Sequence, residues 1–188
     1  YCVFALTYGT EPNDTEIGGL TPMEQSAQTL SAFVDRVLAA TRATQVDIVG
    51  HSEGATMPDY YVKFLGGAAK VDHYVGIAPV LRGTTFYGLS ALAAMDPGAG
   101  DSLTGQFCQS CTEFLAGSPF ITKLDAGGAA VAGVTYTLIV TRFDELVVPY
   151  SNGEVDAPNV TDIVVQDQCP LDASDHLAVV ADPVAARD

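Results

Sequence analysis

Hydrophobic residues recur along the chain with two distinct spacings, and each spacing predicts one kind of secondary structure. Between positions 30 and 38 the apolar residues stand at i, i+3, i+4, i+7 and i+8, which places them on one face of a helix. That face consists of Leu30, Phe33, Val34, Val37 and Leu38. The preceding Thr21-Pro22-Met23-Glu24 is typical of a capping box with proline at the first helical position, so we predict that the helix begins there.

Short apolar runs elsewhere predict strands, and they cover residues 1–8, 46–49, 71–78, 134–141 and 160–165. A second helix is predicted over residues 54–65 and ends at Gly66-Gly67. Strands that alternate with helices favour a mostly parallel sheet flanked by helices, with right-handed crossovers. No repeat or linker interrupts the pattern, so we predict a single α/β domain over residues 1–188.

The alternation breaks between residues 79 and 128, where aromatic and aliphatic residues are mixed with many glycines. We interpret this segment as a helical, cap-like insertion with short helices over residues 85–95 and 111–126. Phe86, Leu89 and Leu92 form the group that would bind an acyl chain if the inner face of the insertion covers the site. Ordinary packing of the cap explains the same residues, and the pattern leaves both interpretations open.

The most informative stretch is Gly50-His51-Ser52-Glu53-Gly54, which lies between a predicted strand and a predicted helix. A serine at the tip of a tight strand-to-helix turn, with glycine on both sides, is the arrangement of a nucleophile elbow. The glycines are needed because strand and helix crowd together at such a turn. The free N–H groups at the start of the helix favour an oxyanion beside the serine.

A serine hydroxyl is a weak nucleophile that needs a base to take its proton and an acid to orient the base. In α/β hydrolases these partners follow in the chain order Ser, Asp or Glu, His, on loops at the carboxyl ends of strands. Ser52, Asp144 and His176 occupy those places in this chain. We therefore predict that these three residues form a catalytic triad in an α/β-hydrolase fold.

Other residues compete for the roles of base and acid. Among the three histidines, His51 stands inside the elbow, where its side chain is expected to point away. His73 lies in a strand that is expected to be buried or flanked by helices. Glu145 lies at the end of the same predicted strand as Asp144, and it remains an alternative for the acid. Asp175 is disfavoured, because adjacent residues in a loop seldom orient each other's side chains.

An oxyanion needs two backbone donors. The N–H of Glu53 supplies one, and its carboxylate is expected to face outward into a polar network. The second donor in this fold follows an earlier strand, and we place it upstream of Tyr1, because Gly18-Gly19 follows the strand that opens the chain. A chain that opens directly in a buried strand predicts a fragment of a longer precursor, without its first strands.

The amino-acid composition argues against some classes of binding partner. The net charge is −15, with eight Lys and Arg against 23 Asp and Glu, which argues against binding nucleic acid or anionic membranes. Apolar residues make up 48% and charged residues 16% of the chain, as in a well-buried domain. No apolar run reaches the roughly 18 residues of a membrane span. We expect no stable membrane insertion, no metal and no cofactor.

The four cysteines include Cys108 and Cys111, spaced as C-x-x-C. A thioredoxin-type redox pair would follow the first strand of a βαβ unit, whereas this pair lies mid-chain. Zinc would need two further ligands, and Glu113 is the only nearby candidate. A local disulfide in a secreted protein is the favoured interpretation, with two unpaired thiols as the alternative. Cys2 and Cys169 are expected to pair with each other or with cysteines outside this sequence.

Taken together, several motifs resemble those of secreted bacterial triacylglycerol lipases and esterases of the α/β-hydrolase superfamily, particularly the actinobacterial group, and more distantly the fungal lipase B type. The resemblance rests on C-V-F-A-L-T-Y-G, on G-H-S-E-G followed by Y-Y-V-K-F-L-G-G, and on V-G-I-A-P with R-G-T-T. It continues through V-T-Y-T-L-I-V-T-R-F-D-E, V-V-P-Y, P-N-V-T, Q-D-Q-C-P-L-D and the final D-H, and covers nearly the whole chain.

The resemblance implies ester hydrolysis through an acyl-enzyme, with Ser52, Asp144 and His176 as the triad and without a cofactor. It also implies a secreted protein that acts on a lipid or another ester, and we expect a monomer. Glu53 departs from the family, which usually has glutamine or another uncharged residue after the serine. Two rival hypotheses are a non-catalytic binding domain with the same fold and a polyester or cutin hydrolase.

Overall fold

The computed structural model describes residues 2–10, 17–85 and 108–187. Within these residues the strands are β1 (Val46–His51), β2 (Val71–Ile77), β3 (Thr135–Val140) and β4 (Val160–Val164). They form one parallel sheet in chain order. A single row of the sheet runs from Val49 through Val75 and Thr137 to Thr161. All four carboxyl ends therefore meet at one edge, and the prediction of a parallel sheet flanked by helices is confirmed.

The helices of the described residues are short except for the first. They are α1 (Met23–Thr41), α2 (Met57–Phe64), α3 (Gln109–Glu113), α4 (Pro119–Asp125) and α5 (Val165–Gln168). Single turns of 3₁₀ helix cover Ser52–Ala55, Gly67–Ala69, Tyr150–Gly153, Ala178–Ala181 and Ala185–Arg187. None of these helices is both long and apolar enough to span a membrane.

Two apolar layers cover the faces of the sheet, as the alternation of side chains along a strand requires. On β3, Tyr136 and Leu138 pack with α1, α2 and α4, whereas the intervening Ile139 packs on the opposite face with Val165 and Val179. The apolar face predicted for α1 is the face that it buries or half-buries. In the larger layer, α2 packs against β2 and β3. The turn that carries Ser52 leads into α2, so this packing also holds the end of that turn.

The predicted strand at residues 1–8 is wrong for the part that the structure describes. Residues 2–8 contain no strand, and Val3 and Phe4 are 91% and 49% exposed. The backbone of this segment pairs with a loop: Gly19 N–H donates to the Tyr8 carbonyl and Leu20 N–H to the Gly9 carbonyl. Apolar β-branched residues raise strand propensity, but tertiary pairing decides where the hydrogen bonds go.

The predicted capping box of α1 is also wrong. The helix begins one residue later, so Pro22 stands at the N-cap and makes no side-chain cap bond, and Glu24 is not at the position that a capping box requires. Glu113 supplies the cap instead, because its Oε2 accepts the Met23 N–H at 2.7 Å. Thr21 Oγ1 lies 3.4 Å from Ser26 Oγ. A residue 90 positions away therefore satisfies the helix terminus.

The insertion differs from the prediction where it is described. One helix was predicted over residues 111–126, and α3 and α4 are observed, separated at Gly117 with φ of +85°. Ser118 caps α4 by accepting the Ile121 N–H at 3.1 Å, and Pro119 occupies the first turn. The helix predicted over residues 85–95 lies outside the described residues apart from residue 85. Phe86, Leu89 and Leu92 also lie outside them.

Asp59 in α2 is a fully buried carboxyl. Its Oδ1 accepts the Tyr136 hydroxyl at 3.1 Å, and its Oδ2 has no hydrogen-bond partner among the described residues. Burial raises the pKa of Asp59 from 3.8 to about 7, and the Tyr136 hydrogen bond opposes this rise. The folded state therefore keeps a proton on Asp59 that the unfolded chain has already lost.

Asp59→Asn should consequently weaken the fall in stability between pH 4 and pH 7 and raise the melting temperature at pH 7. In the wild type each unit of pH in this window removes up to about 1.4 kcal/mol per retained proton, since the folded state binds more protons than the unfolded state. Calorimetry at both pH values measures the effect. The exposed Asp125→Asn serves as the control, and identical pH dependence in both variants would contradict the assignment.

Candidate active site

The turn at Ser52 is sterically forced. Ser52 directly follows β1 with φ of +54°, a backbone region that residues other than glycine rarely adopt. A Cβ placed on Gly50 would lie 1.7 Å from the Gly54 carbonyl oxygen, so only glycine fits there. Thr56 Oγ1 donates to the Ser52 carbonyl at 2.9 Å and accepts the Val80 N–H at 2.9 Å. Strand, turn and helix together hold the serine at the carboxyl edge of the sheet.

Three side chains from separate loops meet at this edge. His176 Nε2 lies 2.8 Å from Ser52 Oγ, and His176 Nδ1 lies 2.8 Å from Asp144 Oδ2. The side chains of His176 and Asp144 are 1% and 2% exposed. Because a carboxylate only accepts hydrogen bonds, Nδ1 carries the hydrogen and Nε2 is free to accept the serine proton. The structure thus brings together the three residues predicted as the triad.

The structure also distinguishes the two competing acids. Asp144 Oδ1 accepts the N–H groups of Leu146 and Val147 at 3.0 and 2.7 Å, which leaves Oδ2 aimed at the histidine ring. Glu145 turns elsewhere and accepts the backbone N–H of His176 at 3.2 Å. Asp144 therefore orients the imidazole, whereas Glu145 holds the chain of the loop that carries it.

A buried polar network that the sequence did not indicate holds the histidine loop. Thr141 Oγ1 donates to the Ser174 carbonyl at 2.6 Å and accepts from Gln166 Nε2 at 2.9 Å. Ser174 Oγ donates to Asp182 Oδ2 at 2.9 Å. Thr141 follows β3 and Gln166 lies in α5, so the network joins the ends of β3 and β4. Neither residue type carries a signal for this role in the sequence.

His51 contacts the histidine loop, and the expectation that its side chain points away is wrong. Its Nε2 lies 2.7 Å from the His176 carbonyl oxygen, and the two imidazole rings are 4.9 Å apart. A carbonyl only accepts, so His51 Nε2 carries the hydrogen. Burial lowers the pKa of His51 below 6.5, which keeps the ring neutral beside His176.

A cleft of about 370 Å³ lies beside Ser52 and is bounded by three segments. Its walls come from Leu6, Thr7, Tyr8, Gly18, Gly19, His51, Ser52, Glu53 and Gly54. Gly18 and Gly19 follow Tyr8 in the chain but line the same cleft, because their loop folds back onto the Tyr8 backbone. Another cleft, of about 420 Å³, is lined by Arg82, Thr122 and Asp125 among others and contains none of the three triad residues.

The Glu53 side chain turns inward, in contrast to the expectation of an outward carboxylate. Its Oε1 is buried without a hydrogen-bond partner among the described residues. A Cβ placed on Gly19 would lie 3.2 Å from Glu53 Oε2, so the carboxyl packs against that backbone. Burial raises the pKa of Glu53 from 4.5 to about 7; the interaction with Ser110 opposes this rise, and the nearby Glu113 contributes to it.

A disulfide joins Cys108 to Cys111, the pairing that their spacing favours, with Cα atoms 5.3 Å apart. Cys2 and Cys169 are free thiols, so they do not pair with each other. The His73 side chain is exposed at the opposite edge of the sheet, with its Nδ1 3.2 Å from Asp47 Oδ1. It takes no part in the site at Ser52.

A parallel sheet with a serine elbow and a Ser-His-Asp constellation at its carboxyl edge defines the α/β-hydrolase class. The sequence model of the family Lipase (class 2) matches residues 1–187, and the chain belongs to that family.

Solved structures share the fold. Aspergillus fumigatus lipase B superposes with a TM-score of 0.73 at 20% identity, and the match covers 89% of this chain and 41% of that one. Bacillus licheniformis lipase BlEst2 in its mature form gives 0.59 at 12% identity, over 84% and 68% of the two chains. A putative non-heme bromoperoxidase of Mycobacterium tuberculosis gives 0.51 at 12% identity, over 92% and 73%. This chain thus spans less than half of the fungal protein.

The reactivity of Ser52 should depend on Asp144 far more than on Glu145. Asp144→Asn removes the acceptor that fixes the imidazole tautomer, and we expect phosphonylation by a fluorophosphonate probe to slow by about 10³–10⁴. Glu145→Gln keeps an oxygen for the His176 N–H and should slow it by less than about tenfold. The measurement is the rate of labelling, followed by mass spectrometry. A larger loss of labelling rate in Glu145→Gln than in Asp144→Asn would show that Glu145, and not Asp144, orients the imidazole.

His51 should affect Ser52 through the loop that carries the base. His51→Phe keeps an aromatic ring at this position but removes the N–H donor. Because the lost hydrogen bond is worth about 0.5–1.5 kcal/mol, we expect the probe to label Ser52 roughly 2–10 times more slowly. His51→Gln restores an N–H donor and should recover most of the rate. Equal labelling in the wild type and His51→Phe would show that the contact has no role.

Proposed function

We propose that this chain carries the active site of a serine carboxylic-ester hydrolase, a lipase or esterase. The observation that carries the proposal is the hydrogen-bonded series from Ser52 through His176 to Asp144 at the carboxyl edge of the sheet, with 2.8 Å at each step. Membership of the class 2 lipase family supports esters as the substrate class. The substrate is therefore a lipid or another carboxylic ester.

In the proposed reaction Ser52 Oγ attacks the ester carbonyl while His176 Nε2 takes the serine proton. The tetrahedral intermediate collapses, and the imidazolium returns its proton to the departing alcohol. Water then attacks the acyl-enzyme, with His176 again taking the proton. The bond between Ser52 Oγ and the acyl carbon breaks, and the imidazolium returns its proton to Ser52 Oγ as the acid leaves. Asp144 stays ionised throughout and stabilises the imidazolium across the 2.8 Å contact. These side chains account for every proton that moves, so the reaction calls for no cofactor.

The oxyanion of the intermediate needs donors at fixed positions. The N–H of Glu53, directly after the nucleophile, is the proposed first donor. For the second we propose a backbone N–H of Thr7 or Tyr8, because this segment lines the same cleft as Ser52 and Glu53. The Tyr8 and Gly9 carbonyls are already engaged by Gly19 and Leu20, which holds the segment in place.

Two further proposals concern the setting of the reaction. The local disulfide between Cys108 and Cys111 supports an oxidising, extracellular location. The acidic composition, with a net charge of −15, supports uncharged esters over nucleic acids as partners. We propose that the protein acts as a monomer, which sedimentation would test.

Ester hydrolysis is tested with a p-nitrophenyl ester series of rising acyl length, compared among the wild type, Ser52→Ala and the control Ser31→Ala on α1. Loss of a triad serine costs on the order of 10⁶ in kcat, so Ser52→Ala should be inactive while Ser31→Ala matches the wild type.

The length series distinguishes lipase from esterase, and a polyester film added to the assay tests the polymer-hydrolase alternative. Absence of turnover with every ester, together with absence of fluorophosphonate labelling, would favour the non-catalytic binding domain.

A further inference from the structure

The short helix α3 binds the loop that lines the cleft beside Ser52. Ser110 of α3 is fully buried, and its hydroxyl donates to the Gly19 carbonyl at 2.5 Å. The N–H groups of Gln109 and Ser110 lie 2.8 and 3.4 Å from the Leu20 carbonyl oxygen. Gly19 and Leu20 are therefore bound through their carbonyls to one turn of α3.

The same two loop residues bind the amino-terminal segment through their N–H groups. Gly19 N–H donates to the Tyr8 carbonyl at 2.9 Å, and Leu20 N–H donates to the Gly9 carbonyl at 2.8 Å. A path of hydrogen bonds thus runs from α3 through Gly19 and Leu20 to Tyr8 and Gly9, and we call it the Gly19 bridge. Of the bonds that form it, the one from the Ser110 hydroxyl is made by a side chain, and the others join backbone groups.

The stretches of backbone in the Gly19 bridge are in close contact. A Cβ on Gly18 would lie 2.7 Å from the Tyr8 carbonyl oxygen, and a Cβ on Gly9 would lie 2.9 Å from the Gly19 nitrogen. Because closely packed groups transmit strain, a displacement of Gly19 also displaces the Tyr8 segment. Tyr8 and its neighbour Thr7 line the cleft and carry the N–H groups proposed as the second oxyanion donor.

A disulfide closes the turn that carries Ser110. It joins Cys108 to Cys111, with Cα atoms 5.3 Å apart, and Cys108 Sγ lies 3.5 Å from Ser110 Oγ. The helix α3 has five residues, and so short a helix is not stable by itself in water. The disulfide therefore restricts the conformations of the turn from which Ser110 binds Gly19.

We propose that Ser110 is a positioning residue for the oxyanion, and that the Cys108–Cys111 disulfide regulates ester hydrolysis through it. With the disulfide formed, Ser110 holds Gly19, and the Gly19 bridge holds the proposed donor in the wall of the cleft. A dithiol reductant transfers two electrons and two protons, which convert the disulfide into two thiols and the reductant into a disulfide. Ser110 is then less constrained. This inference rests on the proposed function, because the oxyanion belongs to that reaction.

Ser110→Ala should lower kcat about 10–100-fold and change KM less than about twofold. A donor displaced by about 1 Å costs up to about 10² in rate, and the oxyanion forms only after the substrate has bound. Ser110→Thr keeps the hydroxyl and should restore most of the rate. Thr112→Ala is the matched control, because its hydroxyl donates within α3, to the Gln109 carbonyl at 2.8 Å. Equal kcat in Ser110→Ala and Thr112→Ala would overturn the proposal.

A trifluoromethyl ketone inhibitor measures the oxyanion contact, because Ser52 adds to its carbonyl and forms a tetrahedral oxyanion. Its inhibition constant should rise in Ser110→Ala by about the factor by which kcat/KM falls, and it should keep the wild-type value in Thr112→Ala. A smaller fraction of folded protein does not change this constant, so the measurement separates positioning from stability. An unchanged constant in Ser110→Ala would contradict the role in oxyanion binding.

Complete reduction of the wild type with dithiothreitol should lower kcat about 2–10-fold, as expected when one hydrogen bond is weakened. The double variant Cys108→Ala, Cys111→Ala should have the lower kcat from the start and should not respond to the reductant. Cys2 and Cys169 are already free thiols, so the reductant leaves them unchanged. Reduction needs no substitution and decides the proposal even where Ser110→Ala does not fold: an unchanged kcat after complete reduction would overturn it.

Amide hydrogen exchange tests the Gly19 bridge without turnover. The N–H groups of Gly19 and Leu20 should exchange about tenfold faster in Ser110→Ala than in the wild type or Thr112→Ala. Equal exchange in all three proteins, together with normal hydrolysis, would overturn the bridge and leave the proposed function standing. Absence of hydrolysis with every ester would instead remove the proposed function, and the oxyanion role of Ser110 with it.

Discussion

The constraint on which the site depends is the close approach of two stretches of backbone at the elbow. Gly50 and Gly54 are so close that a Cβ at position 50 would overlap the Gly54 carbonyl oxygen, at 1.7 Å. This crowding holds Ser52 at φ of +54° and directs it to the edge where all the strands end. Because the sheet is parallel, the loops after β3 and β4 reach the same edge, and Asp144 and His176 follow from that geometry.

Buried carboxyl groups in this acidic protein differ in the number of hydrogen-bond donors around them. The Asp144 side chain is 2% exposed, and it accepts two backbone N–H groups and the imidazole N–H. Asp59 and Glu53 are also withdrawn from water but have few donors, and burial raises the pKa of each to about 7. Asp144 therefore differs from Asp59 and Glu53 in the number of donors available to its oxygens, and not in burial alone.

His176, the proposed base, is held by three hydrogen bonds to its loop. Glu145 accepts its N–H and His51 donates to its carbonyl, and the Thr141–Ser174 bond fixes the residues before it. The side chain therefore needs little reorganisation to serve as a base, and this preorganisation is how a rigid scaffold lowers a barrier.

The sequence by itself determined what depends on neighbouring residues: the apolar face of α1, the order of strands and helices, the elbow at Gly50–Gly54 and the chain order of Ser52, Asp144 and His176. These are set by periodicity and local sterics, which act over a few positions. Tertiary structure alone decided the cap of α1 by Glu113, the turn of His51 toward His176 and the inward carboxyl of Glu53. Each of these depends on partners far along the chain, 90 residues away for Met23 and 125 for His51. The prediction of a strand was wrong for residues 2–8 for the same reason. The backbone hydrogen bonds of this segment are made with a loop that no local pattern specifies.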